Sequence, residues 1–323
     1  MRTEPLFVRK HNLISLVVPC YNESACIEVF FREVSPVLAA IPEADYEIVC
    51  VNDGSSDDTL RLLVEVAEKD PRVRVVDLSR NFGKEAAMTA GIDVARGDAV
   101  IPFDADLQDP PEAILDLVAK WREGFDVVIA KRSERATDTL AKRGTAALFY
   151  RVHNAISDIK IPENAGDFRL MSRQAVAALQ QLPENRRFMK GLFAWVGFKT
   201  ASIEYVRKPR VAGKTKFSGW KLWNFAMEGI TSFSTLPLRI WTYIGGITAI
   251  FALCYAAFLI LRTTIHGVDV PGYASTITAV LFLGGIQLIG IGVIGEYVGR
   301  MYVESKRRPV YIVRKVYEQD PAQ

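Results

Sequence analysis

Cysteine and histidine are scarce. The 323 residues hold four cysteines (Cys20, Cys26, Cys50 and Cys254), with no CxxC pair, and three histidines. A structural zinc site and a disulfide framework are therefore both disfavoured, and reduced thiols of a cytosolic domain fit best. Excess charge is also missing. A net charge of +3 is too small to argue for a nucleic-acid partner. No apolar run stands near the first residues, so no signal peptide is expected. With 50% hydrophobic and 24% charged residues the chain is neither disordered nor collagen-like, and its length suits one large domain or two smaller ones.

What the chain has is two long runs without any charge, 240–261 and 270–295. Each exceeds the roughly 20 apolar residues that cross a bilayer as a helix. Gly285, Gly290, Gly292 and Gly295 suit close helix packing in lipid; buried core helices are the alternative. Lys and Arg crowd both flanks, from Arg207 to Arg239 and from Arg300 to Lys315, whereas the connection TTIHGVD has none. The positive-inside bias then predicts two membrane helices, 239–262 and 270–296, with both termini and a basic tail, 297–323, in the cytoplasm. The segment 217–238 is aromatic and amphipathic, which suits an interfacial helix or one packed on the soluble domain.

The first 216 residues read differently. Short β-branched runs at 13–19, 46–52, 73–78, 99–103 and 125–130 alternate with helical patterns at 24–38, 57–69, 84–95 and 111–123. Near-continuous hydrophobicity suits strands covered on both faces, and the alternation implies an α/β fold with a mostly parallel, twisted sheet. Ligands bind such sheets beyond the carboxyl ends of the strands. There the sequence places PCYNE (19–23), NDGSSDDT (52–59) and DADLQD (104–109). Asp104 and Asp106, one residue apart at a strand end, can share a hard cation whose remaining ligands come from a diphosphate. An isolated DAD is as readily a solvated turn leading into a helix at Pro111; beside two further acidic strand ends it reads as a site. Asp53 fits an Asx-turn or a contact to a base or ribose.

VVPCYNE, VNDGSSDDT, SRNFGKEAA, DADLQDPPE, GDFRLMSR, NRRFMKGLFAWVG and LFLGGIQLIGIGVIGEYVGR occur in that order. The set resembles the family-2 glycosyltransferases that charge polyprenyl phosphates, above all the bactoprenol glucosyltransferases. Dolichyl-phosphate mannose synthases and undecaprenyl-phosphate aminoarabinose transferases are similar too. The resemblance covers nearly the whole chain; Cys20 is a small departure from it. It implies a nucleotide-diphospho-sugar transferase fold of the GT-A type followed by two transmembrane helices.

Residue by residue, the resemblance implies that Pro19, Tyr21, Glu23 and Asp53 bind the nucleoside of the donor. Asp104 and Asp106 hold Mg²⁺ or Mn²⁺ against the diphosphate, with Ala105 and Gln108 beside the metal or sugar. Lys84 contacts the donor or simply starts a helix. Arg132 binds the acceptor phosphate together with Lys142 or Arg143, and Arg210 and Lys216 clamp the phosphates. Asp167 is the residue assigned as catalytic base. An acceptor phosphate that is largely dianionic near pH 7 needs little base, so Asp167 is expected chiefly to orient it, through Arg169 or another cation, and to remove its residual proton only at lower pH. The partners implied are a UDP-sugar, a polyprenyl phosphate lipid, the bacterial inner membrane and other copies of the chain, as a tetramer.

Charge supports these roles independently. A sugar diphosphate meeting a lipid phosphate concentrates negative charge, so cations must lower the repulsion and stabilise the leaving diphosphate. The expected reaction is inverting transfer of a sugar, with glucose first and mannose, galactose, N-acetylhexosamine or aminoarabinose as alternatives. A processive polysaccharide synthase would carry a QxxRW motif, and no Arg-Trp pair occurs here. A catalytically dead binder would have lost Asp104, Asp106 or Asp167.

Overall fold

The structure, a computed structural model, describes residues 12–133, 165–185, 187–206, 234, 236–266 and 272–319. Its eight strands are β1 (Asn12–Cys20), β2 (Ala44–Asn52), β3 (Val73–Leu78), β4 (Ala99–Pro102), β5 (Val127–Arg132), β6 (Ala165–Ser172), β7 (Thr200–Tyr205) and β8 (Val313–Tyr317). They form one sheet in the order β7-β5-β6-β4-β1-β2-β3-β8. All pairings are parallel except those of β6 with β4 and β5, and of β8 with β3.

Helices α1 (Ile27–Ala39), α2 (Thr59–Ala67), α3 (Lys84–Val94) and α4 (Ala113–Arg122) are the crossovers, and α5 (Arg173–Gln180) and α6 (Met189–Trp195) follow β6. Side chains alternate along each strand, so both faces need covering. Leu16 and Val18 of β1 join Ile48 and Cys50 of β2 in one apolar layer with Phe30, Leu38, Leu63 and Leu117. Val17, Val49 and Val51 point the other way, onto Ala87, Ile92, Val176 and Leu192. Burying a side chain such as Phe30 or Leu38 is worth about 1.5–3 kcal/mol. Helix α3 is rich in small residues because it lies against the sheet; a Cβ at Gly91 would collide with Val17.

The antiparallel insertion of β6 decides which residues reach the carboxyl edge of the sheet. Since β6 runs against its neighbours, its first residues, not its last, lie at that end of the parallel strands. Lys131 pairs with Ala165, so Arg132 and Asp167 reach the same edge from opposite chain directions.

Two long helices lie between β7 and β8: α7 (Leu236–His266) and α8 (Tyr273–Ser305). They form an antiparallel hairpin: the Tyr297 hydroxyl donates to the Ser234 carbonyl at 2.7 Å, and Gly290 packs under the Trp241 ring. Among the described residues, Phe282–Ser305 is the stretch long and apolar enough to cross a membrane, and Tyr243–Ala252 is a shorter apolar stretch. Helix α7 runs beyond the expected 239–262 at both ends, and α8 runs beyond 296 at its C-terminal end. Helix α8 continues past 296 because Glu296 pairs with Arg300 one turn on, at 2.9 Å, and Glu304 accepts from the backbone of Asn185 at 3.0 Å. Most of the interfacial segment 217–238 lies outside the described residues.

The basic tail is more ordered than its composition indicates. Val313–Tyr317 extends the sheet as β8, pairing with β3. Glu318 then reaches the buried Arg74 at 2.8 Å, and Arg314 donates to Ser79 O at 2.6 Å.

Candidate active site

Four loops meet at the carboxyl edge. The YNE turn after β1 is stitched to the DGSSDDT turn after β2. Asn22 N donates to Ser55 Oγ at 3.1 Å, Ser56 N to Asn22 Oδ1 at 2.8 Å, and Glu23 N to Thr59 Oγ1 at 2.9 Å. Asn22 has φ +55°, a left-handed conformation that asparagine tolerates well.

Asp53 fastens the third loop. It is buried, and its oxygens accept from Phe82 N at 2.7 Å and Gly83 N at 2.9 Å. Burial raises its pKa, and the two backbone donors work against that rise. Gly54 is required here: φ is +62°, and a Cβ would stand 2.5 Å from backbone atoms of Arg80 and Asn81. Beside it, the strand-end pair Asn52 and Asp77 is joined by a buried hydrogen bond of 2.7 Å.

The DADLQD loop follows β4. Asp106 Oδ1 accepts from Gln108 N at 3.2 Å, and Leu107 between them has φ +54°. A leucine in that region is strained, and its buried side chain holds it there. Gln108 Oε1 is buried without a hydrogen-bond donor.

Lys84 links this loop to β6. Its ammonium lies 2.7 Å from Asp104 and 2.9 Å from Asp167. Burial opposes the charge, but the two carboxylates outweigh it and hold the lysine well above its usual pKa. For Asp167 burial alone would raise the pKa; Lys84 first, then Lys190 and Arg169, overcome it and keep the carboxyl well below the ordinary range. Behind the pair stands Glu85, pushed up to about 8 by burial and by Asp167, with Lys84 and Lys190 opposing. Both Glu85 Oε2 and Asp167 Oδ1 are buried without a hydrogen-bond partner.

On the far side Arg132 Nε donates to the Tyr205 hydroxyl at 3.2 Å, which donates in turn to Asp109 Oδ1 at 2.5 Å. Under these groups, Phe103 and Phe168 meet edge to face at 5.2 Å, and Phe168 and Tyr205 at 5.8 Å.

The edge thus gathers carboxylates, a lysine and an arginine, and comparison with known proteins gives the family they belong to. The model of glycosyl transferase family 2 matches residues 15–179, and that of the GtrB C-terminal hairpin matches 236–301. The prophage bactoprenol glucosyl transferase homolog of Escherichia coli is 55% identical over 303 residues, covering 94% of this chain and 99% of that protein. The chain belongs to glycosyltransferase family 2. The bactoprenol glucosyl transferase of Shigella phage SfV is likewise 55% identical, over 93% of this chain and 98% of its own. Among solved structures, a mannosyltransferase of Pyrobaculum calidifontis in complex with GDP-Man and Mn²⁺ aligns with a TM-score of 0.45 at 15% identity. That alignment covers 94% of this chain and 90% of the other.

This glycosyltransferase has a GT-A-like α/β fold: the family 2 match runs from β1 to α5, through a mostly parallel sheet. At one edge it gathers Pro19, Tyr21, Glu23, Asp53, Lys84, Asp104, Ala105, Asp106, Gln108, Arg132 and Asp167. Lys142, Arg143, Arg210 and Lys216 lie outside the described residues. Among the described residues the cation in direct contact with Asp167 is Lys84, the other cation that the expectation allowed beside Arg169. Arg169 instead donates to Gly166 O and lies over the Phe193 ring. Sequence reasoning missed Glu85, Asp109 and Tyr205. Glu85 is inconspicuous within SRNFGKE, Asp109 reads as a turn residue, and Tyr205 is masked by the alternating, half-exposed pattern of β7.

Proposed function

We propose that this enzyme transfers glucose from UDP-glucose to polyprenyl phosphate at the cytoplasmic membrane face, with inversion at the anomeric carbon. One observation carries this reading: 55% identity to bactoprenol glucosyl transferases extends over 94% of the chain, including both the site and the helical hairpin.

The residues divide by charge. Tyr21, Glu23 and Asp53 frame the pocket for the donor's nucleoside, Asp53 by holding the 82–83 backbone in place. A divalent cation fits the DADLQD loop: Asp104 and Asp106 offer carboxylates, and Gln108 Oε1 is a buried acceptor still lacking a donor. Mg²⁺ or Mn²⁺ held there would neutralise charge on the departing diphosphate. Lys84 places a second cation beside the same loop. Arg132 supplies the guanidinium for the acceptor phosphate, with Lys142 or Arg143 as its helper. Arg210 and Lys216 complete the clamp.

Asp167 chiefly orients, and takes the acceptor's residual proton only at lower pH. A carboxylate held so far below its ordinary pKa is a weak base, and a phosphate monoester is already largely dianionic near pH 7. Asp167 fixes Lys84 and the edge of β6 against the acceptor.

Parity supports the membrane reading. Strand β8 pairs with β3, so the chain returns after α8 to the sheet it left before α7. A chain that leaves and re-enters one domain crosses a bilayer an even number of times. Helices of 31 and 33 residues are about 46 and 50 Å long, enough for a core about 30 Å thick. Two crossings, with both termini cytoplasmic, satisfy both conditions, and association into a tetramer belongs to the same reading.

Incubating the purified protein with polyprenyl phosphate and a panel of labelled nucleotide sugars tests the assignment. UDP-glucose should label the lipid fastest. Preference for GDP-mannose, UDP-galactose, UDP-N-acetylhexosamine or UDP-aminoarabinose would reassign the sugar, and no lipid product from any donor would overturn the acceptor.

A further inference from the structure

The acceptor arginine does not stand alone. Its Nε donates to Tyr205 at 3.2 Å, and the Tyr205 hydroxyl donates to Asp109 at 2.5 Å. A tyrosine hydroxyl has one proton, so giving it to a carboxylate fixes which lone pair faces the guanidinium and makes that oxygen a better acceptor. With Nε engaged, the two Nη groups stay available for a phosphate; Nη2 lies 3.4 Å from where a Cβ on Gly166 would stand, next to Asp167.

Three functional groups are registered by this one side chain. Asp109 ends the loop that begins with Asp104. The Tyr205 ring packs on Phe168, which follows Asp167, and Phe168 packs on Phe103, which precedes Asp104. Tyr205 itself is buried, at the end of β7.

We infer that Tyr205, anchored by Asp109, is a positioning residue for acceptor-phosphate recognition, holding Arg132 in the orientation that presents its Nη groups to the phosphate beside Asp167. The inference rests on the reading of Arg132 as the acceptor-phosphate group.

The test measures KM for polyprenyl phosphate and for UDP-glucose with the full-length protein and four variants. Tyr205→Phe, which keeps the ring and removes the hydroxyl, should raise the acceptor KM about five- to tenfold and leave the donor KM within about twofold. Asp109→Asn should do the same. The double variant should be no worse than the more affected single one, because both break one chain. Equal rises in both KM values, or a fall in thermal stability with no split between substrates, would make Tyr205 a packing residue and overturn the inference. Should Tyr205→Phe not fold, Asp109→Asn, with the ring intact, reads the same chain. Arg132→Ala separates the two levels. If it leaves the acceptor KM unchanged, the acceptor reading falls and this inference with it. If it raises the acceptor KM while neither Tyr205→Phe nor Asp109→Asn does, this inference alone falls.

Discussion

Replacing Gly54 by alanine places a methyl where the structure has backbone. The new Cβ would stand 2.5 Å from Arg80 C and Asn81 N and 2.9 Å from Arg80 Cα. None of these atoms belongs to a flexible side chain, so the 80–83 loop must back away by about 1 Å to restore ordinary contact. That retreat takes Phe82 N and Gly83 N out of reach of Asp53, whose two hydrogen bonds are now 2.7 and 2.9 Å. Hydrogen bonds to a charged acceptor are worth about 1.5–3 kcal/mol each. The left-handed φ of +62° adds about 1–2 kcal/mol for a residue with a Cβ. The total, about 4–8 kcal/mol, rivals the whole stability of a typical domain. The cheaper escape is for the loop to detach while the sheet stays folded. Gly54→Ala should therefore lose UDP affinity by at least about 30-fold, with a far smaller change in the thermal midpoint. Isothermal titration with UDP and a thermal melt of the same sample measure both. Unchanged UDP affinity would refute the claim that Asp53 and this loop shape the donor pocket.

Other outcomes depend on the charged groups of the site. Asp104→Ala and Asp106→Ala should each abolish transfer in a folded protein, and EDTA should do the same to the parent; full activity in EDTA would remove the cation from the reaction. Glu85 carries a raised pKa of about 8, so its contribution to stability is fully present below about 4.5 and is lost as pH rises through 8. Glu85→Gln should then melt higher than the parent at pH 9 and not at pH 5, and an equal difference at both pH values would contradict the buried acid. Asp167→Asn should cost more activity at pH 6 than at pH 8, whereas a variant equally dead at every pH would restore Asp167 as a general base. A reporter after Gln323 should face the cytoplasm and a tag at Gly267 the opposite side; an exported C-terminal reporter would break the parity argument.

The crossovers and the three acidic strand ends were legible because they are local. A β-branched run, a helical period and a polar turn each sit within about ten residues. What the sequence hid is non-local. Nothing in GDFRLMS says that it inserts antiparallel between β4 and β5, yet that insertion brings Asp167 to the edge. Lys84 meets Asp167 across 83 positions, and Tyr205 meets Asp109 across 96. VRKVY read as a charged tail because its side chains are mostly exposed, as an edge strand's are. Composition reports which residues face water, not which backbone groups pair.

Strand β8 also sets the order in which this protein can be finished. Its partner β3 is synthesised 235 residues earlier, with both apolar helices between them. At about 5–20 residues per second, the β3 edge waits roughly 10 to 50 s for its neighbour. During that time the catalytic domain has its core but carries an unpaired hydrogen-bonding edge, the feature that invites pairing with another chain. Only when the hairpin has been made does the sheet close, so completion of the sheet is gated by the two apolar helices. A nascent chain stalled between the two helices would hold an almost complete site on an open sheet.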